Sequence, residues 1–158
     1  MIEANKIHPS IELCPLNKGG KPFPTLFWLK RDTELHKNIS RLEALGLIKD
    51  FEDIISSNPK VRQNHIEDQK KYADIRWQQA AQTIDMTLWS DGFKHRLRDT
   101  GFGGIADFNR VRCFHMFYAG HLYQKNLVGE FVDFCFDYKD ILAANEWIDH
   151  FLIKQGLK

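Results

Sequence analysis

The stretch KVRQNHIEDQKKYADIRWQQAAQTIDMTL, residues 60–88, decides the fold class of this chain. Its apolar side chains recur at about 100° per residue, which is the spacing of an α-helix. One stripe of that helix contains Ile66, Ala73, Trp77, Ala80 and Ile84. Pro59 stands immediately before the stretch, where its fixed φ suits a first helical turn. The pattern therefore predicts one long helix over roughly Lys60–Leu88.

A group of polar side chains borders the apolar stripe of the same helix. A sector of about 60° contains His65, Gln69, Tyr72 and Arg76. Polar groups at the border of a core either satisfy one another in a buried network or line a pocket. Both interpretations stay open from the sequence, and the second makes Tyr72 and Arg76 candidate ligand-binding residues.

Shorter helical patterns on both sides of this element make the predicted fold mainly α. Their expected bounds are an N-cap at Asp32 or Thr33 with a stop at Gly46, then Ile48–Ser57, Phe93–Arg98, Phe108–Tyr123 and Asp140–Gln155. Asn126–Tyr138 is ambiguous, because its FVDFCFDY alternates loosely and also fits a short strand. TLFWL, residues 25–29, is too short for a helix and has no obvious strand partner. Residues 1–158 are thus expected to form a single compact helical domain with a proline-rich extended N-terminal segment and at most two short strands.

Composition and charge exclude several classes of protein. With 22 basic and 21 acidic residues the net charge is +1, so the chain lacks the basic excess that non-specific nucleic-acid binding needs. No apolar run approaches the roughly 18 residues of a membrane span, and no secretory signal is apparent. We therefore expect no membrane association and a cytoplasmic location. Cys14, Cys113 and Cys135 are far apart in sequence, which predicts reduced thiols rather than disulfides.

The stretch GFGGIADFNRVRCFHMFYAGH, residues 101–121, permits three interpretations: a metal site, an anion cradle, or a structural turn before a buried helix. Cys113 and His115 are residue types that bind zinc. On a regular helix, however, two residues of separation rotate their side chains about 200° apart. We therefore expect no metal and no cofactor at this place.

An anion cradle is the second interpretation of this stretch. Its three glycines permit a tight turn, and a helix N-terminus presents free N–H groups to an anion. Arg112 adds a guanidinium suited to phosphate or carboxylate. The third interpretation is a structural turn, in which Asp107 caps the helix and itself occupies the position of the anion.

The expected helix also predicts which way the side chains of this stretch point. Arg112 and His115 would be neighbours on one side of it, and that side is expected to face Tyr72 and Arg76 of the long helix. Two arginines close together repel each other unless an anion lies between them. That anion is Glu43 if the cluster is structural, and a bound ligand if the cluster is a pocket.

Four blocks, GKPFPTLFWL, ISRLEALGLI, GFGGIADFNRVRCFH and NLVG, follow the order seen in domain-of-unknown-function family 501. The chain resembles that family over roughly Cys14–Gly129, and the resemblance implies no activity. The matching positions are Pro22, Pro24, Thr25, Ser40, Arg41, Glu43, Tyr72, Arg76, Gly101, Gly103, Gly104, Arg112, Cys113, His115, Asn126 and Gly129. The family pattern has a Cys after the TLFWL block and a second His near Gly120; this chain has Lys30-Arg31-Asp32 and His121 there. A metal site that relatives build from those residues would be lost here.

These observations together favour a small protein that binds an anionic metabolite or partner carrying phosphate or carboxylate. Its candidate ligand-binding residues are Arg41, Glu43, Tyr72, Arg76, Gly101, Gly103, Gly104, Arg112 and His115. One alternative is a small enzyme that uses His115 or His65 as general acid–base, because histidine titrates near neutral pH. Another is an interaction subunit that docks on a protein partner in a larger assembly through the Phe-rich segment 131–136.

Overall fold

The computed structural model describes residues 2–158, and within them the chain is mainly α, as predicted. The α-helices are α1 (Glu34–Ala44), α2 (Leu47–Ser57), α3 (Pro59–Thr83), α4 (Asp91–Arg98), α5 (Phe114–His121), α6 (Leu127–Tyr138) and α7 (Trp147–Lys154). The strands are β1 (Ile11–Leu13), β2 (Asn17–Lys18), β3 (Lys21–Pro22) and β4 (Phe27–Leu29). Among residues 2–158, no helix combines the length and the apolar character that crossing a membrane requires.

Side-chain caps explain where several helices begin. The side chains of Thr33, Asn58, Ser90 and Asn126 each accept a hydrogen bond from an amide of the first turn. Such caps satisfy amides that have no partner within the helix. The long helix α3 also has Pro59 in its first turn, as the sequence indicated.

The structure corrects the predicted end of the long helix and shows what the ambiguous segment after residue 126 forms. The long helix ends at Thr83 rather than Leu88, because Ile84 is extended and the Asp85 side chain caps a separate 3-10 turn. The ambiguous segment after residue 126 is the helix α6 and not a strand. Its loose alternation of Phe residues therefore reflects a helix that is buried over much of its circumference.

A loop occupies the place of the first turns predicted for the fifth helix, and α5 begins at Phe114 instead of Phe108. The Glu52 carboxylate of α2 holds this loop in place. It accepts a hydrogen bond from the Val111 amide at 2.8 Å and forms an ion pair with the Arg110 guanidinium at 2.9 Å. Arg112 then adopts a φ of 65°, which no helix can contain. The expected start was wrong because the partner that shapes the loop lies far away in sequence.

Four short strands are present where at most two were expected, and they form two antiparallel pairs. The β1 strand pairs with β4 in the register Ile11↔Leu29, so the TLFWL segment does have a strand partner. The β2–β3 hairpin turns at Gly19 and Gly20, whose φ values are 61° and 79°. No alternating pattern marked β1 in the sequence, because Ile11 is its only buried residue.

Aromatic side chains from α2, α5, α6 and α7 meet in the core. Those no more than 1% exposed are Phe51, Phe114, Phe117, Phe131 and Phe151. The α5 helix packs against β4, α1 and α6, so it is the central helix of the fold. Its N-terminus consequently lies where β4 and α1 approach each other.

Candidate functional site

A cavity of about 320 Å³ opens between β4 and the start of α5. Its wall consists of Thr25, Phe27, Trp28, Leu29, Arg31, His36, Cys113, His115 and Met116. The strand supplies most of the apolar wall, and the loop into α1 together with the starts of α1 and α5 supplies the polar wall. No carboxylate belongs to this wall within residues 2–158.

Three side chains of different chemistry converge beside the cavity. Glu43 Oε1 lies 3.1 Å from His115 Nδ1, and Cys113 Sγ lies 3.8 Å from the same nitrogen. All three donor atoms lie within 4.8 Å of one another. We refer to these residues as the Glu43–Cys113–His115 cluster; its Cys and His line the cavity, whereas Glu43 does not.

The backbone at the start of α5 explains why Cys113 and His115 converge. Cys113 is the N-cap residue and is extended, with φ −151° and ψ 121°, while His115 lies in the first turn. The expected separation of about 200° applies only to two residues inside one helix. The premise on which we expected no metal here was therefore wrong.

Glu43 takes over the cap that Cys113 does not provide. Its Oε2 accepts a hydrogen bond from the Phe114 amide at 2.8 Å, while Oε1 faces the His115 ring. Burial by itself would raise the pKa of this carboxyl, but the hydrogen bonds from His115 and the Phe114 amide hold the pKa below its usual value. The ionised carboxylate thus anchors the N-terminus of α5 and presents one oxygen to the cluster.

Hydrogen bonds on the other side of the His115 ring fix its orientation. Nε2 lies 3.1 Å from the backbone oxygen of His36 and 3.0 Å from Ser40 Oγ. A carbonyl oxygen only accepts, so Nε2 carries a hydrogen and Nδ1 faces the cluster. Burial lowers the pKa of His115, but the hydrogen bonds to Cys113 and Glu43, with the negative charge of Glu43, outweigh burial and raise the pKa to about 10.

The His36 ring stacks on His115, with ring centroids 4.1 Å apart, and lines the cavity. Burial lowers the pKa of His36, and the charges of His115 and Arg31 lower it further, so the ring is neutral at pH 7. Its hydrogen bonds within the described chain run through backbone atoms only. The ring therefore offers a ligand one donor and one acceptor.

Arg31 and Trp28 form the exposed part of the cavity wall. The Arg31 Cζ atom lies 5.5 Å from the centre of the Trp28 ring, in a cation–π arrangement. Trp28 is 40% exposed, which is unusual in a chain that buries most of its large aromatic side chains. Among the ion pairs formed by residues 2–158, none involves Arg31.

Arg76 lies away from this site and is completely buried. Its Nε donates to the Leu97 carbonyl at 2.7 Å, and Nη1 donates to the carbonyls of Pro24 and Gly101 at 2.8 and 2.7 Å. Its Nη2 donates to the carbonyl and the hydroxyl of Thr100. These contacts account for all five guanidinium N–H groups, so none is left for a ligand.

The other predicted arginines lie elsewhere, at the surface. Arg41 is exposed and lies 3.9 Å from the Glu34 carboxylate on its own helix, and Arg112 is exposed on the loop before α5. His115 contacts α1 instead of α3. The expected grouping of Arg112 and His115 beside Arg76 is therefore wrong, because the loop held by α2 replaces the helix from which it was derived.

The glycine turn is tight, as expected, but residues 105–113 separate it from α5. The Gly101 amide donates to the Ile105 carbonyl, the Gly104 amide donates to the Gly101 carbonyl, and the Phe102 amide donates to Gln69 Oε1 at 2.8 Å. Packing explains Gly101, where a Cβ atom would lie 2.0 Å from Gln69 Oε1. Gly103 and Gly104 have φ values of 58° and 83°. The turn uses these amides within the protein, so it offers no cradle built from them.

The polar sector of α3 forms a buried network, which is one of the two interpretations left open. The Leu26 amide donates to the Tyr72 hydroxyl at 2.6 Å, and Gln69 Nε2 donates to the Arg110 carbonyl at 3.1 Å. His65 Nε2 donates to the same carbonyl at 2.9 Å, and burial lowers the pKa of this ring. Within the described residues, His65 Nδ1 is the one buried side-chain nitrogen or oxygen without a partner. His65 does not reach the cavity beside β4.

Of the predicted site residues, the structure brings Glu43 and His115 together at a cavity. The sequence analysis set Cys113 aside as a metal ligand and did not identify His36 and Ser40 as partners of His115. A signal for them existed, because positions 36, 40 and 43 follow the spacing i, i+4, i+7 and so share one face of α1. Nothing in the local pattern pointed to Arg31, since only the fold brings it to the same cavity.

Residues 8–133 match a family model described as Protein of unknown function (DUF501). The resemblance drawn from the sequence blocks is thereby confirmed. No curated protein and no solved structure matches the chain. The matched range includes every residue of the cavity wall and of the Glu43–Cys113–His115 cluster.

Proposed function

The chain belongs to the DUF501 family, whose description names no activity, and we propose from its cavity that it binds a small molecule with an aromatic or apolar part and an anionic group. The observation that carries the proposal is the composition of the cavity wall. It joins aromatic and aliphatic side chains to one exposed guanidinium and two imidazoles, and it contains no carboxylate among the described residues. The anionic group is a carboxylate or a phosphate.

The apolar half of the ligand has a suitable surface on the strand side. Phe27, Trp28, Leu29 and Met116 contribute it, and the cavity volume of about 320 Å³ is at the small end of ordinary ligand sites. A ligand of one ring with one substituent is of the right size. Trp28 would gain a stacking partner and lose exposed apolar surface, and both changes favour binding.

The anionic half of the ligand is assigned to Arg31. Its guanidinium forms no ion pair within residues 2–158, and its planar fork suits the two oxygens of a carboxylate or phosphate. The His36 ring supplies a further donor on the same wall. This assignment keeps the anionic ligand expected from the sequence and moves it from the glycine turn to the cavity. Arg76 and the turn amides are already bonded within the protein.

Three probes test the proposal by isothermal titration calorimetry in buffer with a chelator: phenyl phosphate, phenol and inorganic phosphate. Phenyl phosphate is expected to bind most tightly, because it alone presents both halves. Arg31→Gln should weaken its binding about 10- to 150-fold, the equivalent of one charge-assisted contact of about 1.5–3 kcal/mol.

Arg112→Gln is the matched control, since it removes an exposed arginine of the loop before α5 that is not part of the cavity wall. Its affinity should equal that of the wild type. Equal affinities for wild type and Arg31→Gln, or no heat with any of the three probes, would contradict binding of this class at the cavity.

A further inference from the structure

We propose that Glu43, Cys113 and His115 form a binding site for a divalent transition-metal ion, with zinc as the expected occupant and a fourth coordination position open to the cavity. Thiolate, imidazole and carboxylate are the three ligand types that zinc uses in proteins. The inference rests on the cluster alone and does not require the ligand proposed above.

The two distances from His115 to the other ligands of the cluster are close to those that a tetrahedral ion imposes. Zinc bonds of about 2.3 Å to sulfur and 2.0–2.1 Å to nitrogen or oxygen place nitrogen and oxygen ligands about 3.4 Å apart, and sulfur and nitrogen about 3.6 Å apart. The corresponding separations here are 3.1 Å from His115 to Glu43 and 3.8 Å from His115 to Cys113. Both distances from His115 thus differ from the tetrahedral values by a few tenths of an ångström, and Cys113 Sγ lies within 4.8 Å of the Glu43 oxygen.

The surroundings of each ligand hold it in a metal-binding orientation. The His115 Nε2–H group points to the His36 carbonyl, so Nδ1 is directed at the cluster, and its lone pair becomes available when the ion displaces the Nδ1 proton to solvent. Ligating histidines in metal sites are oriented in this way by a carbonyl or a carboxylate. Glu43 is held through its second oxygen by the Phe114 amide, so its first oxygen stays free for the ion.

A neutral His115 ring would place a lone pair against a carboxylate oxygen at 3.1 Å, and such an arrangement needs a cation between the two atoms. A proton is one such cation and makes the pair an ordinary ion pair. A proton does not account for the third donor, since a His–Glu pair needs no thiol at 3.8 Å. A metal ion uses all three.

The site would have the form of a catalytic rather than a structural metal site. Structural zinc ions have four protein ligands, whereas catalytic ones have three and keep one position for water or substrate. Within the described chain, the cluster offers three donors. Cys113 and His115 also line the cavity, so the remaining position faces it. A water molecule or an oxygen atom of a bound ligand would occupy that position.

The test uses chelator-treated full-length protein and Co²⁺ or Zn²⁺ alone, with no organic ligand present. Co²⁺ is expected to bind one ion per chain and to give the near-ultraviolet thiolate-to-cobalt absorption together with visible bands of tetrahedral intensity. Zn²⁺ should displace it. Cys113→Ser and Glu43→Gln should each lower zinc affinity more than about 100-fold, because even losing an outer-shell partner costs 10- to 100-fold.

Cys14→Ser is the control, since Cys14 is another partly exposed thiol and lies outside the cluster. It should leave both the cobalt spectrum and the zinc affinity unchanged. If Glu43→Gln fails to fold because it weakens the cap of α5, Cys113→Ser decides the question alone. Absence of stoichiometric metal in the wild type, or equal zinc affinity in wild type and Cys113→Ser, would overturn the proposal. Phenyl phosphate binding in chelator depends on Arg31, so the two proposals fail separately.

Discussion

Replacement of Arg76 should destabilise the protein in steps that follow the number of hydrogen bonds lost. Lysine keeps the positive charge but has three N–H donors on one atom, so at least two of the five contacts disappear. Hydrogen bonds from a charged donor contribute about 1.5–3 kcal/mol each, which gives about 3–6 kcal/mol for Arg76→Lys. Methionine keeps the apolar stem and removes all five hydrogen bonds, which on the same basis amounts to about 8–15 kcal/mol.

These losses are large compared with the stability of a single domain, which is typically about 5–15 kcal/mol. Arg76→Lys should therefore fold with a melting temperature lowered by roughly 6–24 °C, at 2–4 °C for each kcal/mol. Arg76→Met should show no cooperative transition. Urea and thermal unfolding, followed by tryptophan fluorescence and circular dichroism, measure both effects.

Arg98→Lys is the matched control, because Arg98 is exposed and pairs with the neighbouring Asp99 at 3.3 Å. A surface pair of this kind contributes about 0–1 kcal/mol, so the melting temperature should change little. An Arg76→Met variant within 1 kcal/mol of the wild type would refute the count of hydrogen bonds. A guanidinium that folding does not need would again be a candidate for ligand binding.

Gly129→Ala should lower the free energy of unfolding by about 1–3 kcal/mol, because the added Cβ would lie 2.2 Å from His121 Cγ. Gly92→Ala is the control and should not destabilise the protein, because the nearest atom to its added Cβ is a side-chain atom at 3.9 Å. Equal melting temperatures for the two variants would contradict the predicted steric clash at Gly129. Burial raises the pKa of Asp68 from 3.8 to about 6, although the Leu127 amide opposes the rise. Because the folded-state pKa is the higher one, the stabilisation by this group is complete below about pH 4 and is lost as the pH rises through about 6. Asp68→Asn keeps an acceptor for the Leu127 amide, so the variant should lack up to about 3 kcal/mol of the loss of stability that the wild type shows between pH 4 and 7. Identical pH profiles of urea unfolding for wild type and variant would contradict this role of Asp68.

Helix positions could be read from the sequence because their causes are local. A cap, a proline or an apolar residue acts on neighbours within about one turn, and Thr33 and Pro59 mark helix starts in the structure as they do in the sequence. The family blocks likewise consist of short runs that are readable one after another. Mainly α structure and family membership followed from this local information.

The buried face of the long helix could not be read in the same way. Its apolar stripe suggested Ile66 and Trp77 as core residues, yet both are only partly buried, while His65, Gln69 and Arg76 are fully buried. Hydropathy counts a guanidinium as polar regardless of its partners. Arg76 is buried because carbonyls from two segments far apart in sequence, Pro24 and residues 97–101, satisfy it, and that arrangement exists only after those segments have folded together.

The candidate site depended on tertiary structure for the same reason. The sequence by itself determined which chemical groups are present, and the i, i+4, i+7 spacing of His36, Ser40 and Glu43 put three of them on one helix face. Only the fold decided that the Glu52 carboxylate would hold the loop before α5, end the expected helix and leave Cys113 extended beside His115. Helical periodicity describes contacts within a few residues, whereas this contact spans 59 positions and follows from the packing of α2 against the loop.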